Sequence, residues 1–387
     1  MTDKGLGKMD VEVQGFPPGD FIKEELEARG WNQSYLAEIM ARPYQAISEI
    51  ISGEKEITPE TAIELGKAFG TSAELWIGLE ADYRLFLASQ ADQKKEDNSI
   101  SRRGLLYSIA PVPEIVKRGW LNLPGGYTLD DLENALFPFL HISVDKDTPP
   151  YAIPGFADNY VSSMVYMRAS DKNPMEKVSM YAWAMRVLQL CDQQRIPHYN
   201  PDKFNDLLDR LLKLSRYGKD IVNVPAVLME AGIHFVVVPH LQKTYLDGAA
   251  FMAGDNKPVI AMTLRYNRVD YFWFTLFHEI GHLFSGLKGI EGAYYDNMRD
   301  LNLKDRAELQ ANQYAANWLV DQRLLKKFVK NTPQLTADAI TQFAVSINRH
   351  PSIVLGQLQH QEFVGYNQHR KLHEDQVRYF LAPYITA

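Results

Sequence analysis

The pentapeptide His278-Glu279-Ile280-Gly281-His282 places two imidazoles and a carboxylate close together in the chain. On a helix, residues four apart share a face. His278 and His282 can therefore present two nitrogens to one ion. Glu279 lies one residue round, beside the coordination position that protein ligands leave open. Two neutral nitrogen ligands, with a carboxylate able to take a proton from water, are the parts of a zinc hydrolase. Leu276, Ile280, Leu283 and Leu287 fall at helical spacing and form an apolar stripe along the same segment. Histidines and a carboxylate beside such a stripe are costly to bury without a partner, and a metal ion supplies one. A short pattern with two free positions also arises by chance, so a third ligand has to come from elsewhere.

The helix expected over Asp305–Val320 offers one. Ala311, Ala315 and Ala316 keep one of its sides narrow, which permits close approach to the metal helix. Glu308 lies on the adjoining turn, and Asn312, four residues on, can bond a ligand from behind. Glu291, Asp296, Asp300 and Asp305 compete with Glu308, and spacing alone does not choose among them. Tyr294 and Tyr295 lie in the loop before this helix and receive no role. Upstream, Ile233–Pro239, Asp247–Ala253 and Pro258–Thr263 read as strands, the last two joined by a turn at Gly254–Lys257. A small antiparallel sheet is expected there, with an edge along which a peptide can add. Downstream, helices over Ile340–Asn348 and Ser352–Gln359 flank Arg349-His350-Pro351. Arg349 or His350 could stabilise an oxyanion opposite Glu279; the competing reading of His350 is a helix cap.

The whole chain sets bounds on these readings. Its 387 residues allow two or three domains, and 46% hydrophobic with 23% charged residues is the composition of a soluble globular protein. The net charge of −7 argues against a uniformly basic nucleic-acid binder. The single cysteine, Cys191, excludes an internal disulfide framework and a Cys-rich zinc site, and reads as a core residue. The N-terminus has no signal-peptide core and no apolar run is long enough to span a membrane. A cytoplasmic protein without a membrane partner is expected. The fold class is α+β and mostly helical, with an N-terminal all-α helix-turn-helix domain over 1–88. A linker and helical connector follow over 89–220, then a C-terminal zincin-like metallopeptidase domain over 221–387. The connector opens with the polar stretch Ser89–Gly104. Its helices are expected over Leu105–Lys117, Asp130–Pro138, Met175–Cys191 and Lys203–Leu214, with a loop at Ala152–Tyr160.

At the other end of the chain, helices are expected over Phe21–Arg29, Gln33–Met40, Tyr44–Ile51, Pro59–Phe69 and from Ser72 to about Leu85. Asn32 and Thr58 are placed to cap, and Gly30, Gly53 and Gly70 to terminate. Two short helices joined by a tight turn make a helix-turn-helix. The run Gln33–Gly53 resembles the Xre/Cro family, and that resemblance places the recognition helix at Tyr44–Ile51, where Tyr44, Gln45, Ser48 and Glu49 would face base edges. Gln33 would hold a phosphate, with Arg42 nearby. Residues 1–85 carry eight Lys/Arg against sixteen Asp/Glu, so a single copy should bind DNA weakly. A homodimer formed through the N-terminal half and reading two half-sites is the expected form.

Within the Xre/Cro family, Pro18-Gly19-Asp20, Ile57–Ala62 and Phe69–Trp76 look like the HigA-type antitoxins. Phe272–His282 together with Glu308-x-x-Ala-Asn-x-x-Ala-Ala316 is similar to the ImmA/IrrE family of metallopeptidases, and His350–Gln359 is similar to a C-terminal motif of the same family. That resemblance implies His278, His282 and Glu308 as metal ligands and Glu279 as general base. The ion is expected to be Zn²⁺, with manganese or iron as alternatives at such a donor set. Two departures are Tyr314, where the family often has Phe, and Val320-Asp321, where it has a Met-Pro stop. Together the resemblances imply an operator-binding regulator or antitoxin whose peptidase cuts a toxin, a repressor protein or the chain itself. The competing class is a non-catalytic antitoxin that neutralises by binding and uses its metal only structurally.

Overall fold

A computed structural model describes residues 15–93, 99–145, 150, 174–244, 246–254, 256–285 and 301–386. The chain divides into two compact units, Met1–Ile100 and Ser101–Ala387. In the first, five helices run in sequence: α1 (Pro18–Arg29), α2 (Gln33–Ile39), α3 (Tyr44–Ser52), α4 (Pro59–Phe69) and α5 (Ala73–Gln93). Their boundaries follow local chemistry. The Asn32 side chain accepts from the Tyr35 amide and Thr58 from that of Thr61. Gly30, Gly53 and Gly70 close their helices in the left-handed region. α1 begins three residues earlier than expected, since Pro18 suits a first helical position. A Cβ on Gly19 would strike the Ile51 carbonyl, so only glycine lets α1 meet the end of α3. Ile22, Leu36, Ile47, Leu65 and Trp76 fill the core, and the Trp76 indole donates to Thr71 Oγ1 at 2.8 Å. α5 continues through Ser89–Gln93, so the start of the polar stretch expected to be either the end of the fifth helix or a linker is helix.

The second unit is built around a three-stranded sheet: β1 (His234–Val237), β2 (Gly248–Met252) and β3 (Pro258–Met262), in the order β1-β3-β2. The expected hairpin is present, β2 pairing antiparallel with β3. β1 pairs with β3 in parallel, so the sheet is mixed and not purely antiparallel. The reason is placement: β2 takes the outer edge, and β3, after the hairpin turn, runs back in the direction of β1.

β1 and β3 are wholly buried because both faces are covered. Phe235, Val237, Ile260 and Met262 point into one core and Val236, Val238, Val259 and Ala261 into the other. The second core is completed by α6 (Ser99–Ile109), α7 (Val112–Lys117), α8 (Leu129–Phe139) and α9 (Pro174–Cys191). The middle of the chain therefore covers one face of the sheet. The Trp183 indole donates to the Val238 carbonyl at 2.9 Å, and Arg118 donates to the Pro239 and His240 carbonyls. Cys191 is buried in this core, its thiol pushed up to about 12 by desolvation, as suits an inert packing residue.

The first core holds α10 (Phe204–Leu214), α11 (Val224–Glu230), α12 (Val269–Phe284), α13 (Leu301–Leu319), α14 (Gln322–Asn331), α15 (Ala337–Ser346), α16 (Pro351–His360) and α17 (Val377–Phe380). α14 was not expected. Asp321, where the helix stop was looked for, caps it by accepting from the Arg323 and Leu324 amides. The loop Ala152–Tyr160, the residues Glu291, Tyr294, Tyr295, Asp296 and Asp300, and the side chain of Asp305 lie outside the described residues. Leu287 of the apolar stripe lies outside them as well; Leu276 and Ile280 are fully buried. Among the described residues no helix is long and apolar enough to cross a membrane.

Candidate metal centre

α12 and α13 position the site. α12 carries His278, Glu279 and His282, its stripe Leu276-Ile280 being anchored in the core. α13 crosses close to it because Gly281 faces Ala311. A Cβ on Gly281 would lie 3.2 Å from Ala311 Cα and 3.3 Å from its carbonyl oxygen. Ala311 and Ala315 are fully buried, which is the narrow side expected from the alanine spacing. The sequence reading did not use Gly281, although a residue without a side chain between two ligand positions is a visible signal of close helix approach.

At this crossing His278, His282 and Glu308 converge, one ligand atom from each lying within 4.8 Å of the others. The two Nε2 atoms are 3.0 Å apart, and Glu308 carboxylate oxygens stand 3.2 Å from His278 Nε2 and 3.6 Å from His282 Nε2. His278 Nδ1 lies 2.9 Å from Asn312 Oδ1. Since that oxygen only accepts, Nδ1 carries the proton and the Nε2 lone pair faces Glu308. A cluster of two imidazoles and a carboxylate at these distances could hold a metal ion. Burial pushes the His278 pKa down, but the Glu308 hydrogen bond, the Glu279 and Glu308 charges and Asn312 outweigh it, and the net direction is upward. The donor set fits a divalent ion with three protein ligands and an open position.

Asn312→Ala is expected to lower zinc affinity about 10- to 100-fold, because the His278 ring loses its orienting acceptor. Calorimetric titration of zinc into the full chain checks this, and an unchanged affinity would detach Asn312 from the site.

Glu279 is buried between α12 and β2. A Cβ on Gly248, the first residue of β2, would lie 2.8 Å from Thr275 Cγ2 and 3.1 Å from Glu279 Oε1. The edge strand thus comes against the general-base candidate only because residue 248 is glycine. Spacing had not pointed to Gly248, since the approach joins elements distant in sequence.

His350 and Arg349, the oxyanion candidates, are both engaged within the fold. Arg349 donates to the carbonyls of Trp318, Leu319, Leu212 and Asn348, satisfying chain ends that lack helical partners. His350 caps α16, its Nδ1 accepting from the Ser352 amide, while Nε2 meets Asp375 Oδ2 at 3.1 Å. The helix-cap reading of His350 is the one that holds. Beside it, Arg268 Nη2 donates to His373 Nε2 at 2.7 Å, and His373 Nδ1 meets the buried Ser352 hydroxyl at 2.6 Å. That hydroxyl donates to Asp270 Oδ1 at 3.2 Å. Both rings use a nitrogen as acceptor and are held neutral.

Burial is the main cause that holds both pKa values below the ordinary histidine range. Asp375 and Asp270 pull His350 the other way, and for His373 Asp270 opposes while Arg268 and His350 reinforce. A depressed histidine pKa contributes stability above its unfolded value, about 6.5, that is lost as pH falls through the folded value. Urea titrations should therefore show a midpoint that drops below about pH 6.5, and the double substitution His350→Asn, His373→Gln should flatten the drop. An equal slope in the variant would assign the effect to other groups.

In the first unit, Tyr44 and Gln45 are exposed on α3 and Ser48, Glu49 and Gln33 are partly exposed. Gln45 Nε2 donates to Glu49 Oε1 at 3.0 Å. Arg42 is drawn onto Glu64, Nε to Oε2 2.6 Å, so its charge is partly neutralised within the module. Tyr35 and Ile39 of α2 are also exposed, which the sequence reading had not singled out.

A family model described as helix-turn-helix matches residues 22–76. Virulence-associated protein I of Dichelobacter nodosus is 31% identical over 83 residues, 21% of this chain and 77% of that protein. Virulence-associated protein A of the same organism is 41% identical over 70 residues, 18% of this chain and 69% of its own length. The uncharacterized HTH-type transcriptional regulator YddM of Escherichia coli (strain K12) is 31% identical over 68 residues, 18% of this chain and 72% of that protein. No solved structure matches the chain. With the capped helices of α1 to α5, the family match and relatives covered over more than two thirds of their length, the chain belongs to the helix-turn-helix family through its N-terminal module.

Proposed function

We propose that this protein is a DNA-binding regulator of antitoxin type that carries a zinc-dependent endopeptidase acting on a specific protein partner. The observation that supports the second half most strongly is the convergence of His278, His282 and Glu308 with Asn312 behind and buried Glu279 beside them. The similarity of these same residues to the ImmA/IrrE motifs points the same way.

A bound zinc would supply Lewis acidity towards a peptide carbonyl and water. His278, His282 and Glu308 would hold it, and Asn312 would keep His278 in the required tautomer. Glu279 takes the proton as water attacks and returns it to the leaving amine. β2 is an edge strand, so a peptide segment can pair along it beside Glu279. Acid–base work at a site fed by strand pairing suits an extended segment of a protein, and a toxin or a repressor is the partner class that fits a helix-turn-helix on the same chain. Glu279→Gln tests this reading: metal retained and cleavage lost supports the enzyme, while unchanged processing of every partner leaves the non-catalytic antitoxin.

For DNA, the exposed Tyr44 and Gln45 of α3 are the readers, and a dimer presents two such helices to half-sites. The excess of acidic residues predicts weak binding by one copy. Gln45→Ala should lower affinity for the operator by about 1–3 kcal/mol and relax preference at one base pair. Fluorescence anisotropy on DNA upstream of its own gene, at stated salt, measures this. Equal affinity for operator and random DNA would sink the regulatory reading.

A further inference from the structure

We propose that the open cavity between α12, α13 and α16 is a binding site for a small uncharged aromatic molecule, and that the metal centre responds to its occupancy through Asn312. The cavity measures about 460 Å³, within the usual range of small-molecule sites. Phe274, Leu309, Ala316, Leu319 and Ile353 supply apolar wall, and Tyr271 lines it as well, its ring stacked on Tyr266 at 4.3 Å. Two formal charges reach its edge, Arg268 and Asp270, and they pair with each other at 3.0 and 2.7 Å. A charged ligand would have to break that pair, so a neutral one fits. Gln357 and Gln359 line the same cavity, but their buried amides are bound within the fold, Gln357 to the Ala316 carbonyl and Gln322, and Gln359 to the Gly365 and Gln368 carbonyls and His373, so an occupant is held mainly by apolar contact.

The cavity is distinct from the reacting groups. His278, Glu279, His282 and Glu308 do not line it, whereas Asn312 does. Asn312 Oδ1 is the acceptor that orients His278. An occupant therefore touches the residue behind a metal ligand without competing for the ion. Any change it makes in the Asn312 rotamer alters how firmly His278 is held. This linkage rests on the metal-centre reading above; the binding site itself does not. Because linkage is reciprocal, metal and ligand must alter each other's affinity by one common factor.

The test uses N-phenyl-1-naphthylamine, a neutral two-ring fluorophore, titrated into the full chain with and without zinc. Saturable binding of one probe per chain is expected. Zinc should change the probe affinity by about five-fold or more, and the probe should change zinc affinity by the same factor. Ala316→Phe, which fills the cavity, and Leu309→Asp, at its exposed rim, should each remove saturable binding. Asn312→Ala should keep the probe and lose the coupling. Glu279→Gln should leave both readouts intact, so failure of the peptidase reading and failure of this one are told apart. Unchanged probe affinity in both cavity variants, or identical zinc affinity with and without the probe, overturns the proposal. So does binding that requires zinc and is displaced only by the capped unit N-acetyl-phenylalaninamide, since the cavity would then seat a substrate side chain.

Discussion

Glu279→Gln is expected to bind zinc as tightly as the unsubstituted chain and to lose about 10²- to 10⁴-fold in peptide hydrolysis. That range equals roughly 3–5 kcal/mol of transition-state stabilisation. Glu279 is not one of the three converging ligands, so the ion keeps its donors. Glutamine preserves the volume of a side chain that sits buried against Gly248 and Thr275, and packing should change little. What is lost is the capacity to take and return a proton. Lysate proteins incubated with zinc-loaded protein and with the variant can be compared for newly formed N-termini. Peptide ends that depend on Glu279 identify the substrate as well as the reaction. Identical sets of ends from the two proteins would show that the centre does no hydrolysis, and the metal would then be structural.

Gly281→Leu should do damage of a different kind. The added side chain meets the Ala311 Cα and carbonyl oxygen, which are backbone atoms and cannot swing aside. Overpacking of this kind costs about 1–3 kcal/mol. The larger consequence falls on the metal: α12 and α13 must separate, which carries Glu308 away from His278 and His282. Zinc binding measured by calorimetry should weaken far more than Asn312→Ala weakens it, since a whole ligand is displaced. Adding Ala311→Gly should not restore binding, because the nearest clashes are with backbone and not with the alanine methyl. Recovery in that double variant would show that the two helices do not set the ligand geometry.

Much of the site was legible from residue types and spacing. A histidine pair four apart on an apolar-striped helix shares one face, and the alanines at 311, 315 and 316 permit close approach, which the burial of Ala311 and Ala315 bears out. Caps at Asn32 and Thr58 and terminators at Gly30, Gly53 and Gly70 are local chemistry, so the helix ends they mark appear where the sequence places them, whereas the start of α1 and the far end of α5, which carry no such mark, lie elsewhere. His350 marks the limit of that approach. Its type suits an oxyanion group or a cap, and only the fold shows the Ser352 amide and Asp375 on its two nitrogens. Arg349 likewise looks free in the sequence but is spent on carbonyls from three separate segments.

The sequence by itself determined the periodic and the local: most of the helical segments, the ends that a cap or a glycine marks, and which two histidines share a face. Tertiary structure decided everything that depends on elements far apart in the chain. It put Glu308 beside His278, and it made the sheet mixed by sending β2 to the edge. It set the middle of the chain over one face of that sheet as part of the second unit's core. It also set Gly248 against Glu279, a contact across 31 residues. The physical reason is range: caps and periodicity act over a few residues, whereas ligand geometry is fixed by how closely two buried surfaces can approach.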